Sequence, residues 1–209
     1  MTAAPQKKRL SRDEQRVIRY QQILDAAWSL FCEKGYDSII IDEIAERAGC
    51  SRMPIYSLFG DKQNLFFELW KTQLSADESI LTQGCKPKAK LTKNLDVIAD
   101  NLVKLAASDV SQAEANLFLA VQIISLGRSD IRKKINDISL EIVAEFAKII
   151  EYSTLAEDET LNESPEAIAY HLIAYINGST NVKFQTNKNL ISSKFVKQLF
   201  RDIAIAKTN

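Results

Sequence analysis

Six glycines and four prolines in 209 residues are a poor supply of turns. That scarcity excludes a sheet-rich fold with its many reversals and favours long helices joined by few loops. No apolar run approaches the roughly 18 residues needed to cross a bilayer, and the basic N-terminus is not followed by an apolar secretory core. A soluble, cytoplasmic protein is expected. Three cysteines, Cys32, Cys50 and Cys85, and one histidine are too few and too scattered for a disulfide framework or a tetrahedral metal site. No metal and no cofactor are therefore expected. Cys32 and Cys50 sit at apolar positions, where cysteine acts as a small hydrophobe, and Cys85 falls in a loop beside Lys86. No Ser/His/Asp arrangement, phosphate-cradling glycine loop or pair of carboxylates in a plausible cleft is visible, so the chain does not read as an enzyme. The formal net charge is zero, and only its distribution carries information. Residues 1–19 hold six basic side chains, Lys7, Lys8, Arg9, Arg12, Arg16 and Arg19, against Asp13 and Glu14.

What the chain does contain is apolar periodicity at three- and four-residue spacing, interrupted at few places. Residues 1–10 read as a disordered basic arm. A helix from about Ser11 carries Val17, Ile23, Leu24, Ala27, Leu30 and Phe31 on one face and stops at Gly35, with Trp28 and Phe31 as core aromatics. A short helix from about Asp42 to Ala48 turns inward Ile44, Ala45 and Ala48. Gly49 makes the turn, and a second short helix runs from Arg52 to Leu58 with Ser51 as its cap and Pro54 in its first turn. This pair reads as a helix-turn-helix, the second member burying Ile55 and Phe59 and presenting Arg52, Met53, Tyr56 and Ser57. Asp61 caps a helix through Leu65, Phe66, Leu69, Trp70 and Leu74 to about Leu81. Beyond Pro87, helices are expected over 91–107, 111–126, 129–154 and 165–184, the last begun by Ser164-Pro165, and a final one carries Phe195, Val196, Leu199, Phe200 and Ile203. Glu157-Asp158-Glu159 reads as a solvated turn. The sum is nine helices.

The order Ile44-Ala45-x-x-Ala48-Gly49-x-Ser51-x-x-x-Ile55-Tyr56-x-x-Phe59-x-x-Lys62-x-x-Leu65, preceded by Ala26-Ala27-x-x-Leu30-Phe31-x-x-x-Gly35-Tyr36, resembles the TetR family of transcriptional regulators. The resemblance covers about the first seventy residues; the remainder is similar only in length and helical pattern. It implies an all-α, nine-helix, two-domain regulator: a helix-turn-helix domain over 11–62, a linking helix and loop over 63–86, and a ligand-binding and dimerisation domain over 87–209. It also overrides the local strand character of Ile39-Ile40-Ile41. Members commonly place threonine near positions 39 and 40, so the cap of the following helix has to come from elsewhere, with Ser38 a candidate. Leucine at 58 replaces a residue that in many members bonds a phosphate.

A recognition helix inserts into the major groove, where each base pair shows its own donor and acceptor pattern. Arg52 suits a bidentate contact to guanine and Met53 a thymine methyl, with Ser51 and Ser57 beside them. Tyr56 aligns with the family's backbone-contacting tyrosine. Lys62 adds charge at a helix N-terminus, and Lys7, Lys8, Arg9 and Arg12 reach along the backbone or into a minor groove. The resemblance further implies a homodimer on a near-palindromic double-stranded operator, with Ala174, Gly178, Ser179, Phe195, Leu199 and Phe200 at the interface. Leu102, Phe118, Gln122, Tyr170, His171 and Tyr175 are then candidates to line a pocket for a small, mostly apolar effector. The expected function is a dimeric repressor released by that effector. The alternative is a TetR-like scaffold or binding protein that has lost specific operator binding, motivated by Ile39, Ile40 and Leu58.

Overall fold

The computed structural model describes residues 11–107, 112–186 and 188–208, with the backbone alone at 112–118 and 184. Lys7, Lys8, Arg9 and the side chain of Phe118 lie outside the described residues. Among the described residues the chain forms nine helices: α1 (Arg12–Lys34), α2 (Ile41–Arg47), α3 (Arg52–Phe59), α4 (Lys62–Thr82), α5 (Leu91–Ala107), α6 (Gln112–Gly127), α7 (Ser129–Glu151), α8 (Pro165–Thr186) and α9 (Ser193–Ala204). None of them is long and apolar enough to cross a membrane.

The helix ends follow local chemistry. Ser11 accepts from Glu14 N–H while the Glu14 carboxylate accepts from Ser11 N–H, a reciprocal box that starts α1. Asp61 accepts from Asn64 N–H at 2.7 Å and starts α4. The three consecutive isoleucines form no strand: Ile39 is wholly buried, Ile40 is the exposed N-cap of α2, and Ile41 opens that helix. The expected cap at Ser38 is not used. The Glu43 carboxylate accepts from Ile40 N–H instead, at 3.1 Å. Val17 was expected on the inner face of α1, yet it is 68% exposed, because the apolar contacts of α1 begin only at Tyr20.

Two cores hold the molecule. The first gathers Ile23, Leu24, Ala27, Leu30 and Phe31 of α1, Ile44 and Ala45 of α2, Ile55 and Phe59 of α3, and Leu65 to Trp70 of α4, and takes in Val121 of α6 and Ile131 of α7. The second joins Leu81 at the far end of α4 to α5, the end of α7, α8 and α9, with Phe146 and Phe200 as its largest side chains. Burying each such side chain contributes on the order of 2 kcal/mol. α4 therefore starts in one core and ends in the other. The α4–α5 loop is fastened to the end of α7 by Asn94, which is buried and fully bonded: Lys86 N–H donates to Oδ1, and Nδ2 donates to Lys86 O and Ser153 Oγ.

Two short strands, β1 (Glu159–Leu161) and β2 (Ile205–Lys207), pair antiparallel; Glu157 and Asp158 form the exposed turn expected there, and Glu159 alone of the three enters a strand. Lys207 pairs with Asp158 at 2.7 Å and sits 3.6 Å from Glu159, so those acidic side chains close the strand pair.

Candidate nucleic-acid interface

The α2–α3 turn is built from backbone. Gly49 adopts φ +64, Cys50 N–H reaches back to Ala45 O at 2.9 Å, and Gly49 N–H to Glu46 O at 3.1 Å, a helix end closed by a left-handed residue. From α1, the Arg19 guanidinium donates to Ala48 O at 3.4 Å and Gly49 O at 3.2 Å. A cation at the C-terminal end of α2 satisfies carbonyls and complements the helix dipole. The charge of Arg19 is legible in the sequence, but its reach to residues thirty positions away is not.

Ser51 stands at the N-cap of α3 with extended backbone, but its hydroxyl accepts no capping bond. The reason lies three residues on: Pro54 occupies the position whose N–H a capping serine would bond, and it has none. The hydroxyl therefore stays on the exposed surface. Ile55 and Phe59 pin the other face of α3, the Phe59 ring stacking on Tyr20 at 5.0 Å between centroids. Leu58 is half-buried against the same core. What is left outward is Arg52, Met53, Tyr56 and Ser57, as the sequence suggests, with Met53 72% and Tyr56 47% exposed. Arg12 is exposed on the first turn of α1. Arg52 Nε lies 3.2 Å from Asp42 Oδ1 on the first turn of α2. Asp42 is a functional candidate that the sequence reading missed, and no local pattern marks it.

Lys62 is placed differently from an outward lysine. Its amine donates to Tyr36 O at 2.9 Å and Ile39 O at 2.8 Å and lies 4.2 Å above the Tyr36 ring. Burial lowers its pKa, Asp37 opposing. The same crowding pushes Tyr36 up to about 12, through burial first and then the carboxylates of Asp61 and Asp37. Lys62 thus braces the α1–α2 loop directly before α2. On the opposite side, Arg128 at the α6–α7 turn reaches Asp61 Oδ2 at 3.3 Å, bonds Gln63 and pairs with Asp130. Lys134 of α7 donates to Asn64 at 3.2 Å and lies over the Phe67 ring. The N-terminus of α4, separated from the end of α3 by only Gly60 and Asp61, is held from both sides.

Among the described side chains, the expected pocket residues are divided between the second core and the surface. Leu102 is wholly buried in the second core, Gln122 is exposed on α6, Tyr170 and His171 are exposed on α8, and Tyr175 is half-buried with its ring edge against Phe200. A cleft of about 570 Å³ opens elsewhere, between α4 and α7, lined by Glu78, Thr82, Glu145, Lys148, Ile149, Glu151 and Tyr152. Of the expected interface residues, Ala174 and Gly178 are exposed, Ser179 and Leu199 half-exposed, and Phe195 60% exposed. Phe200 is a correction: it is wholly buried within its own chain, filling the space between α5, α8 and α9. The Cys85 thiol is half-buried, donates to Asn94 O, and is pushed up to about 11 by burial, which suits it poorly to redox sensing.

The family model described as bacterial regulatory proteins, tetR family, matches residues 23–69, from within α1 through α2 and α3 into α4. The chain is 28% identical over 126 residues to the fatty acid metabolism regulator protein of Bacillus subtilis (strain 168), covering 60% of this chain and 62% of that one. It is 32% identical over 102 residues to the HTH-type transcriptional regulator AcrR of Shigella flexneri, covering 48% and 46%. The matches thus span about half to three fifths of these relatives' length. The fold is shared with a regulator from Mesorhizobium loti assigned to the TetR family, at TM-score 0.67 over 93% of this chain and 99% of that one, with 19% identity.

Proposed function

Because the chain belongs to the TetR family of DNA-binding transcriptional regulators, none of whose work is enzymatic, we propose that it is a dimeric repressor of a near-palindromic operator, released by a small, mostly apolar effector. The observation that carries the DNA half of this reading is the outward face of α3. A short helix pinned by Ile55 and Phe59 leaves Arg52, Met53 and Tyr56 exposed together. Standing side by side, a cation, a flexible apolar side chain and a phenol match guanine, a thymine methyl and a phosphate. Ser51, Ser57 and Arg12 flank that face, and Lys7, Lys8 and Arg9 precede it in the chain.

One such helix reads only a few base pairs, so two are needed about 34–36 Å apart. The dimer reading is supported by α8, whose exposed face runs through Tyr170, His171, Ala174, Gly178 and Val182 without a charge. Charged residues are depleted at the centre of interfaces, and small ones let helices approach. Ser179 on α8 and Phe195 and Leu199 on α9 are exposed in whole or in part and are the remaining interface candidates. For the effector, Leu102, Phe118, Gln122, Tyr170, His171 and Tyr175 are the residues that the family resemblance implies, and support for an apolar ligand comes from the relative from Bacillus subtilis, which is named for fatty acid metabolism. The site of action would be the cytoplasm.

Fluorescence anisotropy on the DNA flanking the coding region, against a scrambled duplex at two salt concentrations, tests the reading. Tight, salt-sensitive binding to the flanking DNA alone, weakened by Arg52→Ala, is the expected result. A second reading, a scaffold without specific operator binding, is favoured by the exposed Ile40 and the half-buried Leu58, neither of which donates a hydrogen bond to a phosphate. It predicts equal binding to flanking, scrambled and selected duplexes, and partner binding indifferent to Arg52 and Tyr56.

A further inference from the structure

We propose that Asp42 tunes the base specificity of this regulator: its carboxylate pairs with the Nε edge of Arg52 and so favours presentation of the Nη1/Nη2 end of the guanidinium to the DNA. The inference rests on the reading of α3 as the recognition helix. Asp42 and Arg52 come from different helices, α2 and α3, and meet at 3.2 Å on the exposed surface that also carries Met53 and Tyr56.

Each partner is in an informative place. Asp42 lies in the first turn of α2, where the helix dipole favours a carboxylate. Facing a polyanion, however, the same carboxylate repels phosphates and lowers affinity for every sequence. Arg52 is the first residue of α3, where the dipole disfavours a cation and where Ser51 supplies no cap. An arginine left alone there is a long, mobile charge that takes any nearby phosphate.

Pairing changes what the arginine reads. A guanidinium has five N–H donors in a planar fork. With Nε paired to Asp42 Oδ1 across 3.2 Å, the Nη1 and Nη2 groups remain, and their end-on geometry fits guanine O6 and N7. The pair is close to neutral, so it adds little to sequence-independent attraction. Asp42 thereby trades general affinity for discrimination, acting as a positioning residue through Arg52 without touching a base.

The experiment uses the full chain and the duplex it enriches from a random pool, with single-base-pair variants of that duplex and a scrambled control. Asp42→Asn, which is isosteric and exposed, is expected to reduce discrimination at one guanine about five- to tenfold, within the range of a single bidentate contact. It should bind the scrambled duplex as well as or better than the parent, and its salt dependence should steepen by about one counterion. In an Arg52→Ala background the same substitution should leave discrimination unchanged. Asp42→Asn that keeps full discrimination, that weakens enriched and scrambled duplexes alike, or that acts equally in the Arg52→Ala background overturns the proposal. If Arg52→Ala itself leaves base discrimination intact, the reading of α3 fails and this inference with it; if Arg52→Ala relaxes discrimination and Asp42→Asn does not, only this inference fails.

Discussion

A lysine amine partly removed from water has to replace its lost hydration with acceptors, and Lys62 does so with the carbonyls of Tyr36 and Ile39. Replacing it by methionine keeps the stem but leaves two carbonyls short of a donor. Lys62→Met is expected to cost about 1–3 kcal/mol, read as a lower urea midpoint with an unchanged slope. An unchanged midpoint would mean that water replaces the amine without loss. Nearby, Arg47 bonds Glu33 through both oxygens and also Ser29, linking α2 to α1 on the surface. The Arg47 guanidinium first, and then Ser29, hold the Glu33 carboxyl down to about 2. A depressed folded-state value means that the unfolded chain takes up the proton first. The contribution of the pair is whole above about pH 4.5 and fades as pH falls from there towards 2. Glu33→Gln should therefore flatten the acid limb of a plot of urea midpoint against pH in that window, and added salt should flatten it in the parent.

At the scale of elements, Gly49 shows what a turn requires. A Cβ there would meet nothing within 4 Å, so space does not exclude a side chain, but φ +64 does. Gly49→Ala is expected to cost about 1–2 kcal/mol, Gly49→Asn less, with operator affinity falling alongside the thermal midpoint. Gly49, Asp61 and the spacing of Ile44, Ile55 and Phe59 made the helix-turn-helix legible in the sequence, because caps and apolar spacing act within a turn or two of the chain. What distance contributes was not legible. Ser51 has the look of a capping serine until Pro54 removes the donor. Arg19 and Asp42 gain their roles from residues thirty and ten positions away. Three-residue strands at 159–161 and 205–207 lack the length to show an alternating pattern, and each exists only because the other end of the domain lies beside it.

For the whole molecule, the proposed pairing through α8 makes a separable prediction at Gly178, which has open space around its Cα within the monomer. Gly178→Leu should leave the thermal midpoint of the monomer level or higher, since glycine is a poor helix former. It should weaken dimerisation tenfold or more by sedimentation, and operator binding should fall with it. A dimer of undiminished affinity would place the interface elsewhere.

The two cores and the helix that passes between them also have a mechanical side. Twenty-one residues make α4 a rod about 31 Å long, pinned at one end beside Asp61 and at the other by Leu81. Such a rod can act as a lever: were the first core and these ties to move with it, a tilt of about 5° at the Leu81 end would sweep the other through about 3 Å. Arg128 and Lys134 grip that moving end, so they act as its stops. In the proposed two-fold pair both levers would swing together. In the proposed dimer, two reading heads geared in this way would slip out of phase with the turns of the double helix without either one changing its own shape.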